Sequence, residues 1–310
     1  MAWNKGLVLL QQGRYAEGWP LYEKRWLVKR SIRKPRHAQP EWTAGVPPAG
    51  QTILLQAEQG FGDTIQFARY AMLLQQRGAT IILEAQRELL RLLASLPGVS
   101  QLVEKGAPLP AFDWHASLGG LPWAFNTTLQ DMHSPHRYLA ADPELLARWR
   151  GRLGPAGAPL VGIAWRSSPI DPGRDVPLEG LLSVLPPGLR YVSLHKDLHA
   201  DDLRLLADNP HVLHLDGEIA DFADTAALCE LMDLVVSVDT CTAHLAGALG
   251  KQVWILLKHV PDWRWLLDRP DSPWYPSARL LRQQAHDRWE DVLAEMGRRL
   301  AALQRAAAPH

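Results

Sequence analysis

The chain has 310 residues, 47% hydrophobic and 21% charged, a composition suited to a globular protein with apolar material for two domains. Lys and Arg total 33 and so do Asp and Glu, so the net charge is zero and a strongly basic nucleic-acid binder is excluded. Two cysteines, Cys229 and Cys241, make no disulfide framework, no apolar run reaches the ~20 residues of a membrane span, and the opening MAWNKG has no signal-peptide pattern, so a soluble cytoplasmic chain is expected.

Residues 1–33 carry Leu7, Leu10, Tyr15, Trp19, Leu21, Tyr22 and Trp26 at helical spacing, with a break at Gln12-Gly13-Arg14. This predicts a helical hairpin, either packed on the next domain or a remnant of a tetratricopeptide-like array. A polar, Pro-rich linker follows over 34–48. In 49–150, strand-like 52–57 (TILLQA), helical 63–77, strand-like 80–85 (TIILEA), helical 87–95 and weaker strands at 101–104 and 114–118 predict βαβ units on a parallel sheet. The stretch GRLGPAGAP at 151–159 is the clearest break. Beyond it, strands at 160–165, 191–195, 212–215, 234–238 and 253–257 alternate with helices at 178–185, 200–208, 225–232 and 243–249, giving a second domain over 158–285. A long amphipathic helix over 287–305 ends the chain, in a segment 286–310 that is a candidate to cross back to the first domain. The fold class is α/β: two tandem Rossmann-like domains, with a ligand expected in the cleft outside the carboxyl ends of the strands.

Four stretches carry candidate chemistry. Gly60-Phe61-Gly62-Asp63 joins a strand to a helix, where glycines permit positive φ and close approach of substrate. It is neither a P-loop nor a complete dinucleotide fingerprint. Asp63 reads equally as a helix cap or as a carboxylate serving as general base. Asp239-Thr240-Cys241-Thr242-Ala243-His244 follows the strand LVVSV and opens a helix, a place for an anion such as a pyrophosphate; a plain cap at Thr240 or Thr242 is the competing reading. Trp165-Arg166-Ser167-Ser168, Arg174 and Lys196 bring charge to the ends of neighbouring strands, where cations converge on one rim. Finally, 261–276 holds Trp263, Trp265, Trp274 and Tyr275 in a Pro-rich loop, whose rings suit either stacking on a sugar or base, Trp263 above all, or anchoring the loop. No paired His or Cys set has metal-ligand spacing, so a metal-free mechanism is the simpler expectation.

The stretch DFADTAALCELMDLVVSVDTCTAHLAGALGKQVWILL, followed by PDWRWLLDRPDSPWYPSARLLRQ, resembles the carboxyl-terminal half of bacterial proteins that couple tetratricopeptide repeats to a glycosyltransferase domain. LLQAEQGFGDTIQFARYAMLL resembles their amino-terminal half. Those proteins are similar to the family 9 ADP-heptose heptosyltransferases and, more distantly, to protein O-linked N-acetylglucosamine transferases. The resemblance covers roughly residues 50–285. It implies the two-domain GT-B fold, a nucleotide-sugar donor as substrate with no separate cofactor, and inverting, metal-independent transfer to a hydroxyl on a protein or glycan. It further implies that Asp63 deprotonates the acceptor, that Arg174 faces the donor diphosphate, that Asp239, Thr240 and His244 hold diphosphate and sugar, and that Asp216 or Glu218 meets the ribose. The loop 167–175 departs from the Asn-rich, doubly basic form of the repeat-linked group, and only one repeat-like fragment is present. A degenerate scaffold and a sugar-nucleotide epimerase are the alternative functions, and a second copy of the chain is a further candidate partner.

Overall fold

The computed structural model describes every residue except 29–32, 44, 46–48, 133, 156, 169–170, 216 and 308–310. It comprises two units. Unit 1 is Met1–Ala140 with Asp262–Asp268 and Pro273–Tyr275; unit 2 is Ala141–Pro261 with Arg269–Ser272 and Pro276–His310. No helix among the described residues is long and apolar enough to cross a membrane.

In unit 1 the predicted hairpin forms as α1 (Ala2–Gln11) and α2 (Tyr15–Tyr22), followed by the short α3 (Arg25–Val28). The two helices approach closely because Gly6 and Gly18 lack side chains: a Cβ on Gly6 would lie 2.9 Å from Leu21 Cβ and 3.0 Å from backbone atoms of Leu21 and Tyr22. Gly6→Ala is therefore expected to destabilise the protein by roughly 1–2 kcal/mol in urea unfolding, because overpacking against backbone outweighs the gain of about 1 kcal/mol in helix propensity. A more stable variant would contradict this packing.

Past the linker come β1 (Thr52–Gln56), α4 (Phe61–Ala68), α5 (Tyr70–Gln76), β2 (Thr80–Ala85), α6 (Leu90–Leu93), β3 (Gln101–Glu104), β4 (Trp114–Ser117) and α7 (Leu121–Ala124). The strands pair in parallel in the order β3-β2-β1-β4. Ile53, Leu54 and Leu55 are fully buried in succession, as expected for a parallel strand covered on both faces. The single helix predicted over 63–77 is two, divided at Arg69. This fully buried arginine donates through Nε to Gln66 O at 2.8 Å and through Nη1 to Trp274 O at 2.8 Å.

The boundary predicted at 151–159 lies elsewhere. Unit 2 begins before α8 (Pro143–Leu153), a helix that the sequence reading did not anticipate. Asp142 caps it, accepting from Glu144 N at 2.8 Å, Pro143 fits its first turn, and Gly154 at φ 79° ends it. Trp149 on α8 donates to Asp224 at 2.9 Å, which ties the helix into unit 2.

The remaining elements are β5 (Leu160–Ala164), α9 (Leu178–Ser183), β6 (Arg190–Ser193), α10 (Ala200–Ala207), β7 (Val212–Leu213), α11 (Phe222–Leu231), β8 (Leu234–Val238), α12 (Cys241–Ala248), β9 (Val253–Leu257), β10 (Ala278–Arg282) and α13 (Trp289–Ala307). All six strands are parallel, in the order β10-β9-β8-β5-β6-β7. β10 was not anticipated. α13, the candidate for crossing back, belongs to unit 2 instead. Its buried face of Trp289, Val292, Leu293, Met296 and Leu300 joins Leu178, Leu181 and Leu182 of α9 in one core cluster.

In each sheet the strand order reverses once, between β1 and β4 in unit 1 and between β5 and β8 in unit 2. Such switch points open crevices at the carboxyl ends of the strands.

Candidate functional site

At the switch point of unit 1, the turn after β1 carries Glu58, Gly60 and Asp63. Gly60 sits at φ −73° and caps α4, and Gly62 lies inside that helix, so neither uses the positive φ expected of them. Gly60, not Asp63, is the N-cap; Asp63 is the third helical residue and takes part in capping by accepting the Gly60 N–H through Oδ2 at 3.0 Å. Its other oxygen pairs with Arg264, which the sequence reading did not single out. Arg264 also donates to Gln66 Oε1 at 2.6 Å and to Asp262 Oδ1 at 2.8 Å, and the ion pairs hold its guanidinium well above its ordinary pKa despite burial. The Asp63 side chain remains 24% exposed, and a carboxylate has about four lone-pair sites, so one face stays open to a further donor.

Beneath this turn lies a second ionic cluster. Glu58 accepts from Arg25 Nη2 at 3.1 Å and from the Gly119 N–H at 3.1 Å, while Arg25 also donates to Ser117 Oγ at 3.0 Å and pairs with Glu23. Burial pushes the Glu58 carboxyl above its ordinary range, and the Arg25 charge opposes that shift. The cluster joins α3, the β1 turn and the end of β4 across the switch point.

Trp263 does not offer a ring for stacking. It is only 4% exposed, packed edge-on against Trp19 at 5.3 Å and Tyr22 at 5.7 Å and parallel to Phe67 at 6.5 Å. Trp265, Trp274 and Tyr275 are fully buried in the same unit. The aromatic loop is thus an anchor, because the hairpin, α4 and this segment bury their rings in one another.

In unit 2 the switch point brings together Arg174 and the β8–α12 turn. Arg174 Nη1 donates to Asp239 O at 2.9 Å and lies 3.8 Å from Asp239 Oδ2. Thr240 caps α12 with its backbone in extended conformation and makes no side-chain cap bond. Thr242 and His244 follow in the first turn, both buried. The first-turn amides of α12 and the Arg174 guanidinium form a positively polarised end suited to an anion.

Four further candidates have other partners. Trp165 is fully buried and donates through Nε1 to Asp202 at 3.1 Å, so it is a packing residue. Arg166 is paired with the same Asp202, including Nη2 to Oδ1 at 2.9 Å. Lys196 is exposed and donates to Ala220 O at 2.9 Å. Glu218 is gripped by Arg152 at 2.8 Å, whose bond lowers its pKa, while Asp216 lies outside the described residues.

His195 escaped notice in the sequence. Its Nε2 accepts the backbone N–H groups of Trp165 at 3.0 Å and Arg166 at 3.3 Å, fixing where the loop leaves β5. Burial pushes its pKa down to about 4 from 6.5. A depressed histidine contributes stability that is complete above the unfolded value and lost as the pH falls toward the folded one. Unfolding free energy is therefore expected to decline between about pH 6.5 and 4, and more shallowly in His195→Gln, as read by urea titration. Equal slopes would contradict this role.

No family model matches the chain. Protein FlbA of Caulobacter vibrioides is 28% identical over 337 aligned residues, covering 99% of this chain and 55% of FlbA; the chain spans about half the length of that relative. Among solved structures, Escherichia coli ADP-heptose lipopolysaccharide heptosyltransferase II superposes with a TM-score of 0.60 at 16% identity, over 82% of this chain and 99% of its own. The glycosyl transferase family 9 protein of Veillonella parvula gives 0.61 at 12%, over 86% and 100%. Escherichia coli heptosyltransferase WaaC with ADP-2-deoxy-2-fluoro heptose gives 0.53 at 12%, over 83% and 100%. The chain has the fold of these glycosyltransferases.

Proposed function

We propose that the protein is an inverting, metal-independent glycosyltransferase that moves a sugar from a nucleotide-diphosphate donor to a hydroxyl of a protein or glycan. The observation that carries this reading is the joining of Arg174 to Asp239 at the β5/β8 switch point, beside a helix terminus with no side-chain cap. The fold shared with heptosyltransferases supports it.

Unit 2 takes the donor. As the anomeric C–O bond breaks, its electron pair passes to the departing diphosphate, and the added charge meets the Arg174 guanidinium and the first amides of α12. Thr240, Thr242 and His244 surround the same terminus and bind diphosphate and sugar. Unit 1 supplies the base: Asp63 takes the proton from the acceptor hydroxyl as its oxygen attacks the anomeric carbon opposite the leaving group, which inverts the configuration. Arg264 and the Gly60 N–H hold the carboxylate in one orientation while that proton moves.

A thermal-shift panel of UDP-, GDP-, ADP-, dTDP- and CMP-sugars tests the reading. A donor at a hundred times its Kd stabilises the fold by about 2.7 kcal/mol, so one nucleotide class is expected to raise Tm clearly. No shift with any of the five would favour a scaffold. Turnover of the donor without an acceptor would favour an epimerase.

A further inference from the structure

We propose that Lys258 is a second cation for the donor diphosphate, and that Asp171 occupies the place of that diphosphate until the ligand displaces it. The inference rests on the reading of unit 2 as the donor unit. Lys258 directly follows β9, and Asp171 lies in the loop after β5. Lys258 Nζ donates to Asp171 Oδ2 at 2.6 Å, and Arg174 Nε stands 3.6 Å from the same oxygen. In the order β9-β8-β5, the two cations reach that oxygen from either side of β8, the strand that leads to Thr240.

Two features mark this as a place built for a larger anion. Arg174 Nε is buried and has no hydrogen-bond partner of its own, since 3.6 Å is too long for one, so a donor is left waiting for an acceptor. Asp171 is the most exposed of the three side chains, at 40% against 29% for Lys258 and 22% for Arg174, so of the three it is the one with most open space into which a ligand could displace it. Two cations converging on one point repel unless an anion lies between them. A diphosphate has more charge and more acceptor oxygens than a carboxylate, and it satisfies Lys258 and both faces of Arg174 together. Asp239, the other carboxylate facing Arg174, meets a different nitrogen of the guanidinium: Nη1 donates to its backbone oxygen at 2.9 Å and stands 3.8 Å from its Oδ2.

Titration calorimetry on the full chain, with ADP, UDP, GDP and inorganic pyrophosphate as probes, tests this. Lys258→Met is expected to weaken binding of the favoured nucleoside diphosphate and of pyrophosphate by about 10- to 100-fold, the loss of one charge-assisted hydrogen bond. Asp171→Asn is expected to tighten both severalfold, a gain that a misfolded variant would not give. If Arg174→Met weakens binding while Lys258→Met and Asp171→Asn leave it unchanged, the inference fails and the donor reading stands. If the wild-type chain binds none of the four probes, the donor reading fails and the inference with it.

Discussion

Asp63→Asn is expected to lower turnover by about 10²–10⁴-fold, the range a positioned general base contributes, while the affinity for nucleoside diphosphate stays within twofold of wild type. The split follows from where the residues lie. Asp63 belongs to unit 1, whereas Arg174, Asp239 and the α12 terminus belong to unit 2. The substitution is nearly isosteric and spares the local architecture: an Asn oxygen still accepts the Gly60 N–H, and Arg264 keeps Asp262 and Gln66 as partners. What disappears is the capacity to take a proton, together with the ion pair to Arg264, both of them within unit 1. Initial rates set against calorimetric binding separate the two effects. Near-full turnover in the variant would remove Asp63 from the reaction and leave it a capping residue.

Arg25→Met is expected to have the largest effect on stability, about 3–5 kcal/mol near pH 8, because it strips the counter-charge from a buried carboxylate. Glu58 would keep backbone donors, the Gly119 N–H at 3.1 Å among them, but would lose this ion pair with its side chain only 4% exposed. The pH dependence has a defined sign. Burial already raises Glu58 in the presence of Arg25, so its removal drives the pKa further up, and the folded variant then takes up a proton more readily than the unfolded chain. The penalty is complete above the folded pKa of Glu58 and shrinks as the pH falls through it. Chemical unfolding at about pH 8 and about pH 5 should show the gap to wild type narrowing. A loss under about 1 kcal/mol, equal at both pH values, would mean that the cluster is solvated rather than buried. The consequence for activity is local: this cluster sets the turn that carries Asp63, so residual folded variant should also turn over slowly.

The alternation of apolar strands and amphipathic helices was legible in the sequence because parallel strands buried on both faces stand out as short β-branched runs, as at 52–57 and 234–238. β10 escaped because ARLLR alternates too weakly to stand apart from the Pro-rich segment before it. The positions of Gly60 and Asp63 at a helix start, and of Thr240 at another, followed from local capping chemistry. Arg264 did not, since its partner Asp63 lies 201 residues earlier and no local pattern links them. The burial of Trp263 was hidden for the same reason: its neighbours Trp19, Tyr22 and Phe67 come from distant segments. Lys258 was within reach, because it sits at a strand end like Lys196, and the rule that cations at strand ends share a rim applies to it equally. That rule also picked out Arg166 and Lys196, which the fold pairs with Asp202 and with a backbone carbonyl, partners that no local pattern announced.

A crystal of the protein soaked in turn with ADP, UDP and GDP tests the central claim most directly. Density for a diphosphate on the amides of Cys241 and Thr242, with its oxygens within hydrogen-bond distance of Arg174, is the predicted result. A nucleotide bound away from the β8–α12 turn would contradict it, whereas an unchanged Arg174–Asp171–Lys258 cluster beneath a bound diphosphate would overturn only the displacement of Asp171.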